Sequence, residues 1–167
     1  NNKDDYKLYP KTLAKDVEKL HSANCHLLYL PDVNSIYPKG LIKEKTVTKY
    51  RDILCDKYRP GHFDGVTTVV DRFFELIKPN RSYFGEKDYQ QLQFVKELVK
   101  IKEHNINIIP CSSIRDETGM SYASRNSNFT KDQYILFKKL SEKIYKFINL
   151  SKNKKTKIDT ENLKTDL

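Results

Sequence analysis

The sequence predicts an α/β fold with a mainly parallel sheet and helices on its faces, and three observations carry that expectation. Apolar runs of strand length alternate with longer runs at helical spacing. Punctuating residues separate them, at Pro31, Pro38, Gly40, Pro79 and Pro110. One short apolar run, Ser82-Tyr83-Phe84, passes through Gly85-Glu86-Lys87-Asp88 directly into a helical pattern, which is the strand-to-helix step of an open parallel sheet.

In chain order, Thr12 to His21 reads as an amphipathic helix with Leu13, Val17 and Leu20 on one face, and His26 to Leu30 as a buried strand ended by Pro31. Asp32 to Tyr37 suits a short helical turn, and Thr46-Val47-Thr48 alternates like an exposed strand. A loop holding Arg59-Pro60-Gly61-His62 leads into a helix whose Val66, Val69, Val70, Phe73, Phe74 and Ile77 form a broad apolar stripe, suited to a core or a subunit interface. Beyond Gly85, Leu92, Val95, Leu98 and Val99 recur at helical spacing, and Asp88 followed by Gln91 resembles a capping box, so a helix is expected to begin near Asp88. Ile106 to Ile109 supplies another buried strand. The polar stretch from Ser112 to Asn128, with Gly119 its one clear punctuator, reads as a functional loop. Thr130 is placed to cap a helix from Lys131 to about Leu150, with Tyr134, Phe137, Leu140, Ile144, Phe147 and Ile148 inward. Residues 151–167 are polar and lysine-rich, either a tail or the start of a small second domain. The expected division is therefore a nucleotide-binding domain over 1–126 and a C-terminal portion over 127–167.

Composition narrows the function classes. A chain of 167 residues suits one domain with a small appendage, and 38% hydrophobic content against 32% charged is enough for a packed core. No apolar run is long enough to span a bilayer, and the polar start Asn1-Asn2-Lys3-Asp4-Asp5 is unlike a signal peptide, so a soluble cytoplasmic protein with no membrane partner is expected. Cys25, Cys55 and Cys111 are odd in number and far apart, which favours reduced structural thiols and allows no metal site to be assigned. The net charge of +9 is concentrated in Lys39, Lys43, Lys45 and Lys49 and in Lys152, Lys154, Lys155 and Lys157. No nucleic-acid-binding motif accompanies it, so a solvated lysine-rich surface, or attraction of a small anionic substrate, explains the charge without nucleic acid.

The segment Phe84 to Gln93 carries the chemistry. Gly85 permits a sharp turn or a close backbone approach, the following helix start offers free N–H groups and a positive dipole end, and Lys87 adds a mobile full charge. Together these suit a phosphate. An ordinary strand-to-helix turn with a solvated lysine fits the same residues.

Longer motifs decide between them. Arg59-Pro60-Gly61-His62-Phe63-Asp64-Gly65-Val66-Thr67-Thr68-Val69-Val70, then Tyr83-Phe84-Gly85-Glu86-Lys87-Asp88-Tyr89-Gln90-Gln91-Leu92, then Gly119-Met120 and Ser124-Arg125-Asn126, resemble the pantothenate synthetase (pantoate–β-alanine ligase) family in order and spacing. Tyr9-Pro10-Lys11-Thr12 and Tyr37-Pro38 fit its upstream pattern. The resemblance runs over about residues 4 to 130 and implies a Rossmann-like nucleotidyltransferase fold, a homodimer, and ATP as substrate with Mg2+ accompanying it. The implied reaction joins pantoate to β-alanine through a pantoyl adenylate, releasing pyrophosphate and then AMP. Another nucleotidyltransferase of the same fold is disfavoured by Gln91 and by the Arg59 to Phe63 motif; a fragment that binds nucleotide or a partner without turnover is the remaining alternative.

Residue roles implied by the resemblance follow the motifs. Gly85, Glu86, Lys87 and Asp88 match the ATP segment, with Lys87 on phosphate and Asp88 on a ribose hydroxyl. Gln91 is similar to the glutamine that holds pantoate, and Ile114 falls where a backbone contact to adenine is expected. Tyr122, Ala123, Ser124 and Arg125 align with a second phosphate segment, in which Lys87, Ser124 and Arg125 are the groups expected to act on the reacting phosphate. Ala123 stands where the family usually has a serine, and Cys55 and Asp56 where glutamate and glycine are common. The family's H-x-G-H motif has no counterpart here, and His62 belongs to a different motif. His21, His26 and His104 are isolated in the sequence, and only the first helix of the small C-terminal domain is matched. The resemblance therefore implies the central part of such an enzyme.

Overall fold

The computed structural model describes residues 11–41 and 45–153, the last three by backbone alone. Tyr9, Pro10, Lys43, Lys154, Lys155 and Lys157 lie outside the described residues, as does the question of a tail over 154–167. Helices α1 (Leu13–Ser22), α2 (Val33–Ile36), α3 (Leu54–Tyr58) and α4 (His62–Ile77) precede strand β1 (Arg81–Gly85). A 3-10 turn (Glu86–Asp88) then leads into α5 (Tyr89–Ile101), followed by β2 (Asn107–Cys111), a second 3-10 turn (Ser124–Asn128) and α6 (Lys131–Asn153). Cα packing divides the chain into two units, Asn1–Ser112 and Ser113–Leu167.

In the first unit β1 and β2 pair in parallel, with Arg81 opposite Asn107 and Gly85 opposite Cys111. Helix α5 is the crossover between them, as the alternation of apolar runs predicts. Its buried face is Leu92, Phe94, Val95 and Leu98, led by Gln90 one turn earlier. The core cluster joins Val47, Phe63, Phe94 and Leu98, with Val66 and Val70 packed beside it. Phe63 stacks on Phe94 at 4.3 Å between centroids, and the Arg51 guanidinium lies 4.9 Å from the Phe94 ring centre on the polar side. The packing thus fixes α4 against α5, which in turn fixes where α5 begins.

Two expected strands are absent among the described residues. His26 to Leu30 forms no strand, and Leu27 is 82% exposed. An apolar run states that a segment can be buried in a sheet but not that a neighbouring strand is there to hold it. Thr46 to Thr48 is also no strand, and Val47, taken as part of an exposed element, is fully buried. Its carbonyl accepts from Arg51 Nε at 2.8 Å, so a side chain fills the place of a ladder bond. The apolar stripe of α4 is only partly used: Phe63, Thr67 and Phe74 are buried, while Ile77 is 53% exposed. Likewise α1 has no buried residue, and Cys25, Cys55 and Cys111 are free and exposed.

In the second unit the cap predicted at Thr130 forms a reciprocal box. The Thr130 N–H donates to Gln133 Oε1 at 3.0 Å and the Gln133 N–H to Thr130 Oγ1 at 3.3 Å. Leu140, Ile144, Phe147 and Ile148 are partly covered, whereas Tyr134 and Phe137 are exposed; Phe137 instead stacks on Phe129 at 4.5 Å. No helix among the described residues is long and apolar enough to cross a membrane.

Candidate active site

Gly85, Glu86, Lys87 and Asp88 are all exposed, at the carboxyl end of the parallel pair and at the entrance to α5. That is the end of an open α/β sheet where ligands bind. The expected capping box between Asp88 and Gln91 does not form: Asp88 is the N-cap, but its side chain makes no cap hydrogen bond. The 3-10 turn takes over the entry to the helix, and the Asp88 carboxylate is not spent on its first turn. Gly85 does not make a left-handed turn either, since its φ is −70°. A Cβ built there would meet nothing within 4 Å, so the glycine leaves open space beside the backbone, as a close ligand approach requires.

The neighbouring glutamines have different surroundings. Gln90 is 8% exposed. Its Oε1 accepts from the Cys55 N–H at 2.9 Å, and its Nε2 donates to the Tyr50 carbonyl at 3.0 Å and the Ile53 carbonyl at 2.9 Å. These bonds hold a loop in which Tyr50, Asp52 and Leu54 all have left-handed φ, at 63°, 59° and 48°, an arrangement that non-glycine residues keep only when the surroundings impose it. Gln91 is half-buried, one residue around the helix.

The same loop holds the two departures at Cys55 and Asp56, and nothing in the structure explains the cysteine side chain. Cys55 contributes its backbone N–H to Gln90. Asp56, 7% exposed, pairs with Arg51 at 3.3 Å and accepts from the Asp52 N–H at 2.8 Å. Arg51 also pairs with Asp64 on α4 at 2.5 Å. Neither Gln90 nor Arg51 stands out in the sequence as a site residue. For Gln90 a signal existed, because positions 90, 94 and 98 share one helix face and the latter two are apolar. For Arg51, in an aperiodic loop, there was none.

His62, the first residue of α4, is half-buried. Burial and then the Arg59 charge hold it below the ordinary histidine value, opposed by the carboxylates of Asp88 and Asp56. A base so lowered resists protonation in the folded state, while the unfolded chain takes up the proton near pH ~6.5. Its contribution to stability is present above that pH and is lost as pH falls through the lowered folded value. Replacing His62 with Gln is therefore expected to flatten the fall in melting temperature between about pH 7 and about pH 5; an unchanged slope would contradict the assignment. His104 is not isolated in space: its Nε2 lies 2.6 Å from Asp71 Oδ1, and its ring packs edge-on to Phe74, the satisfied structural state.

Ile114, Tyr122, Ala123, Ser124 and Arg125 fall in the second unit. Ile114 is 76% exposed and Tyr122 66% exposed, and the Tyr122 N–H reaches the Ile114 carbonyl at 3.3 Å. Arg115 and Ser121 form an antiparallel bridge that closes the loop. Ala123 is half-buried and extended, at φ −152°, immediately before the turn that carries exposed Ser124 and Arg125. A serine adopts this extended backbone as readily as alanine, so Ala123→Ser is expected to leave the melting temperature nearly unchanged in a thermal melt; a large fall would mean that the turn is arranged around alanine.

An α/β unit whose strand β1 ends in an exposed glycine–lysine turn has the layout of proteins that hold a nucleotide at the start of a crossover helix. The family model described as pantoate-beta-alanine ligase matches residues 1–166, and the chain belongs to that family. Pantothenate synthetase of Caldicellulosiruptor saccharolyticus is 37% identical over 150 residues, covering 90% of this chain and 52% of that protein. The Azobacteroides pseudotrichonymphae pantothenate synthetase is 37% identical over 165 residues, or 98% of this chain and 58% of its own length. Among solved structures, a Francisella tularensis pantoate-beta-alanine ligase complexed with beta-gamma ATP and beta-alanine matches with a TM-score of 0.80 at 39% identity, covering 84% of this chain and 54% of that one. A Thermus thermophilus pantothenate synthetase matches with a TM-score of 0.83 at 32% identity, over 92% of this chain and 56% of that one. The expected α/β class with a parallel sheet is thus borne out. The chain spans about half the length of the relatives it matches.

Proposed function

We propose that the activity served by this chain is the ATP-dependent condensation of (R)-pantoate with β-alanine to pantothenate. The single observation that carries the reading is the exposed Gly85–Asp88 turn at the carboxyl end of β1, leading into α5, in a chain of this family. A carboxylate is a poor acyl donor until one oxygen becomes part of a good leaving group. In the first step a pantoate carboxylate oxygen bonds to the α-phosphorus of ATP while the bond to pyrophosphate breaks. In the second, the β-alanine amine bonds to the acyl carbon and AMP leaves.

Neither step needs a protein nucleophile, so the residues position and neutralise. In this proposal Lys87 neutralises phosphate charge, Asp88 accepts from a ribose hydroxyl, and the Gln91 amide holds pantoate. Gly85 and Glu86 form the backbone of the turn. Ile114 contacts adenine by its backbone, and Tyr122 and Ala123 belong to the second phosphate segment, in which Ser124 donates to a phosphate oxygen and Arg125 opposes the charge that develops there. No group of three or more His, Cys, Asp or Glu side chains suited to a metal occurs among the described residues. Mg2+ accompanying ATP would be held mainly by the nucleotide phosphates. A cytoplasmic homodimer completes the proposal.

The test is to incubate the full-length native protein with labelled ATP, pantoate and β-alanine. Stoichiometric AMP and pantothenate are expected, with AMP release dependent on pantoate. ADP formation, or AMP release independent of pantoate, would overturn the reading.

A further inference from the structure

The loop that precedes Ser124 and Arg125 is held twice over. Internally, Asp116 Oδ1 accepts from the Thr118 N–H at 3.0 Å, the Thr118 hydroxyl at 2.7 Å and the Met120 N–H at 3.1 Å. Arg115 Nη1 donates to the Gly119 carbonyl at 2.9 Å, and Asn126 Nδ2 to the Ser121 carbonyl at 3.1 Å. These bonds make 115–126 one compact piece of backbone. Externally, a single side chain from α6 reaches two of its carboxylates: Lys138 Nζ lies 2.9 Å from Glu117 Oε1 and 3.6 Å from Asp116 Oδ2. Gly119, at φ 83°, lets Tyr145 of the same helix approach so closely that an added Cβ would sit 2.6 Å from its ring. The loop is therefore seated on α6 by one ionic and one steric contact.

We infer that Lys138 is a positioning residue for the phosphate-binding segment, fixing the 115–126 loop on α6 so that Ser124 and Arg125 are presented in one place. This rests on the proposed role of that segment. Exposed ion pairs contribute little to stability, and Glu117 is 78% exposed, so the shorter of the two pairs adds little to the fold, while the longer one reaches the 9% exposed Asp116 that organises the loop. A small displacement of charged groups about a transferring phosphate, by contrast, costs rate steeply. Electrostatics agree with the geometry. Hydrogen bonding to Glu117 raises Lys138 above the usual lysine value, and hydrogen bonding to Lys138 lowers Glu117.

The experiment uses the full-length native protein and the pantoate-dependent adenylation assay. Lys138→Met is expected to lower kcat for adenylation about tenfold, with KM for ATP changed less. Lys138→Arg, which keeps the charge and the reach, is expected to restore most of that loss. Combining Lys138→Met with Glu117→Gln should add less than the two single effects together, because both remove the same contact. A wild-type kcat in Lys138→Met, failure of Lys138→Arg to rescue, or strict additivity would overturn the role. Arg125→Ala separates the two levels: if it is impaired and Lys138→Met is not, only the positioning role fails. An unaffected Arg125→Ala overturns the phosphate reading of the segment, and the role of Lys138 with it.

Discussion

Lys87→Ala is expected to lower pantoyl-adenylate formation by about 100- to 1,000-fold, the scale seen when one preorganised charge-stabilising group is removed from a reacting centre. The same substitution should leave the melting temperature nearly unchanged. Lys87 is exposed on the 3-10 turn and buries no surface whose loss would be felt, and exposed substitutions of this kind usually fall within about 0.5 kcal/mol. Separate measurement of kcat and KM for ATP, beside a thermal melt, checks it. Parallel losses of activity and stability would mean that Lys87 supports the turn without serving a phosphate.

The largest expected loss of stability is at the neighbouring glutamine. Gln90→Leu keeps much of the side-chain volume but leaves the Cys55 N–H and the Tyr50 and Ile53 carbonyls without the partner they have now. A buried group stripped of its partner costs about 1–3 kcal/mol. With partial rehydration of the loop, a net destabilisation of about 3 kcal/mol is expected. The left-handed backbone at residues 50, 52 and 54 adds to it, because the Gln90 side chain is what ties that loop's carbonyls to α5. Denaturant unfolding of Gln90→Leu and Gln91→Leu side by side gives a clean contrast. The first should be strongly destabilised. The second should fold nearly normally and lose affinity for pantoate. Equal stability in both would contradict the division of labour between the two positions.

That contrast also marks how far the sequence could be read. Local signals carried the elements that depend on local chemistry: α5 from Leu92, Val95 and Leu98, the cap at Thr130, and two strands short enough to be recognised by their bounding residues. The family motifs carried the roles proposed for Lys87 and Gln91. What failed depended on distant partners. His26 to Leu30 has strand composition but no strand beside it among the described residues, and Val47 is buried by Phe63, Phe94 and Leu98, none of which lies near it in sequence. Asp88 has the chemistry of a capping residue, yet the chain enters α5 through a 3-10 turn that leaves its side chain unused for capping. Gln90 looks like half of a repeated dipeptide until its three backbone partners, 35 to 40 residues away, are seen.

The central claim is that pantoate is activated by adenylation, and transfer of an oxygen isotope tests it most directly. Pantoate labelled with 18O in its carboxylate, turned over by the full-length native protein with ATP and β-alanine, should yield AMP carrying one labelled oxygen and pyrophosphate carrying none. The labelled atom bridges carbon and phosphorus in the adenylate and stays with phosphorus when the amine displaces AMP. Label in pyrophosphate or orthophosphate, or AMP without label, would contradict the account.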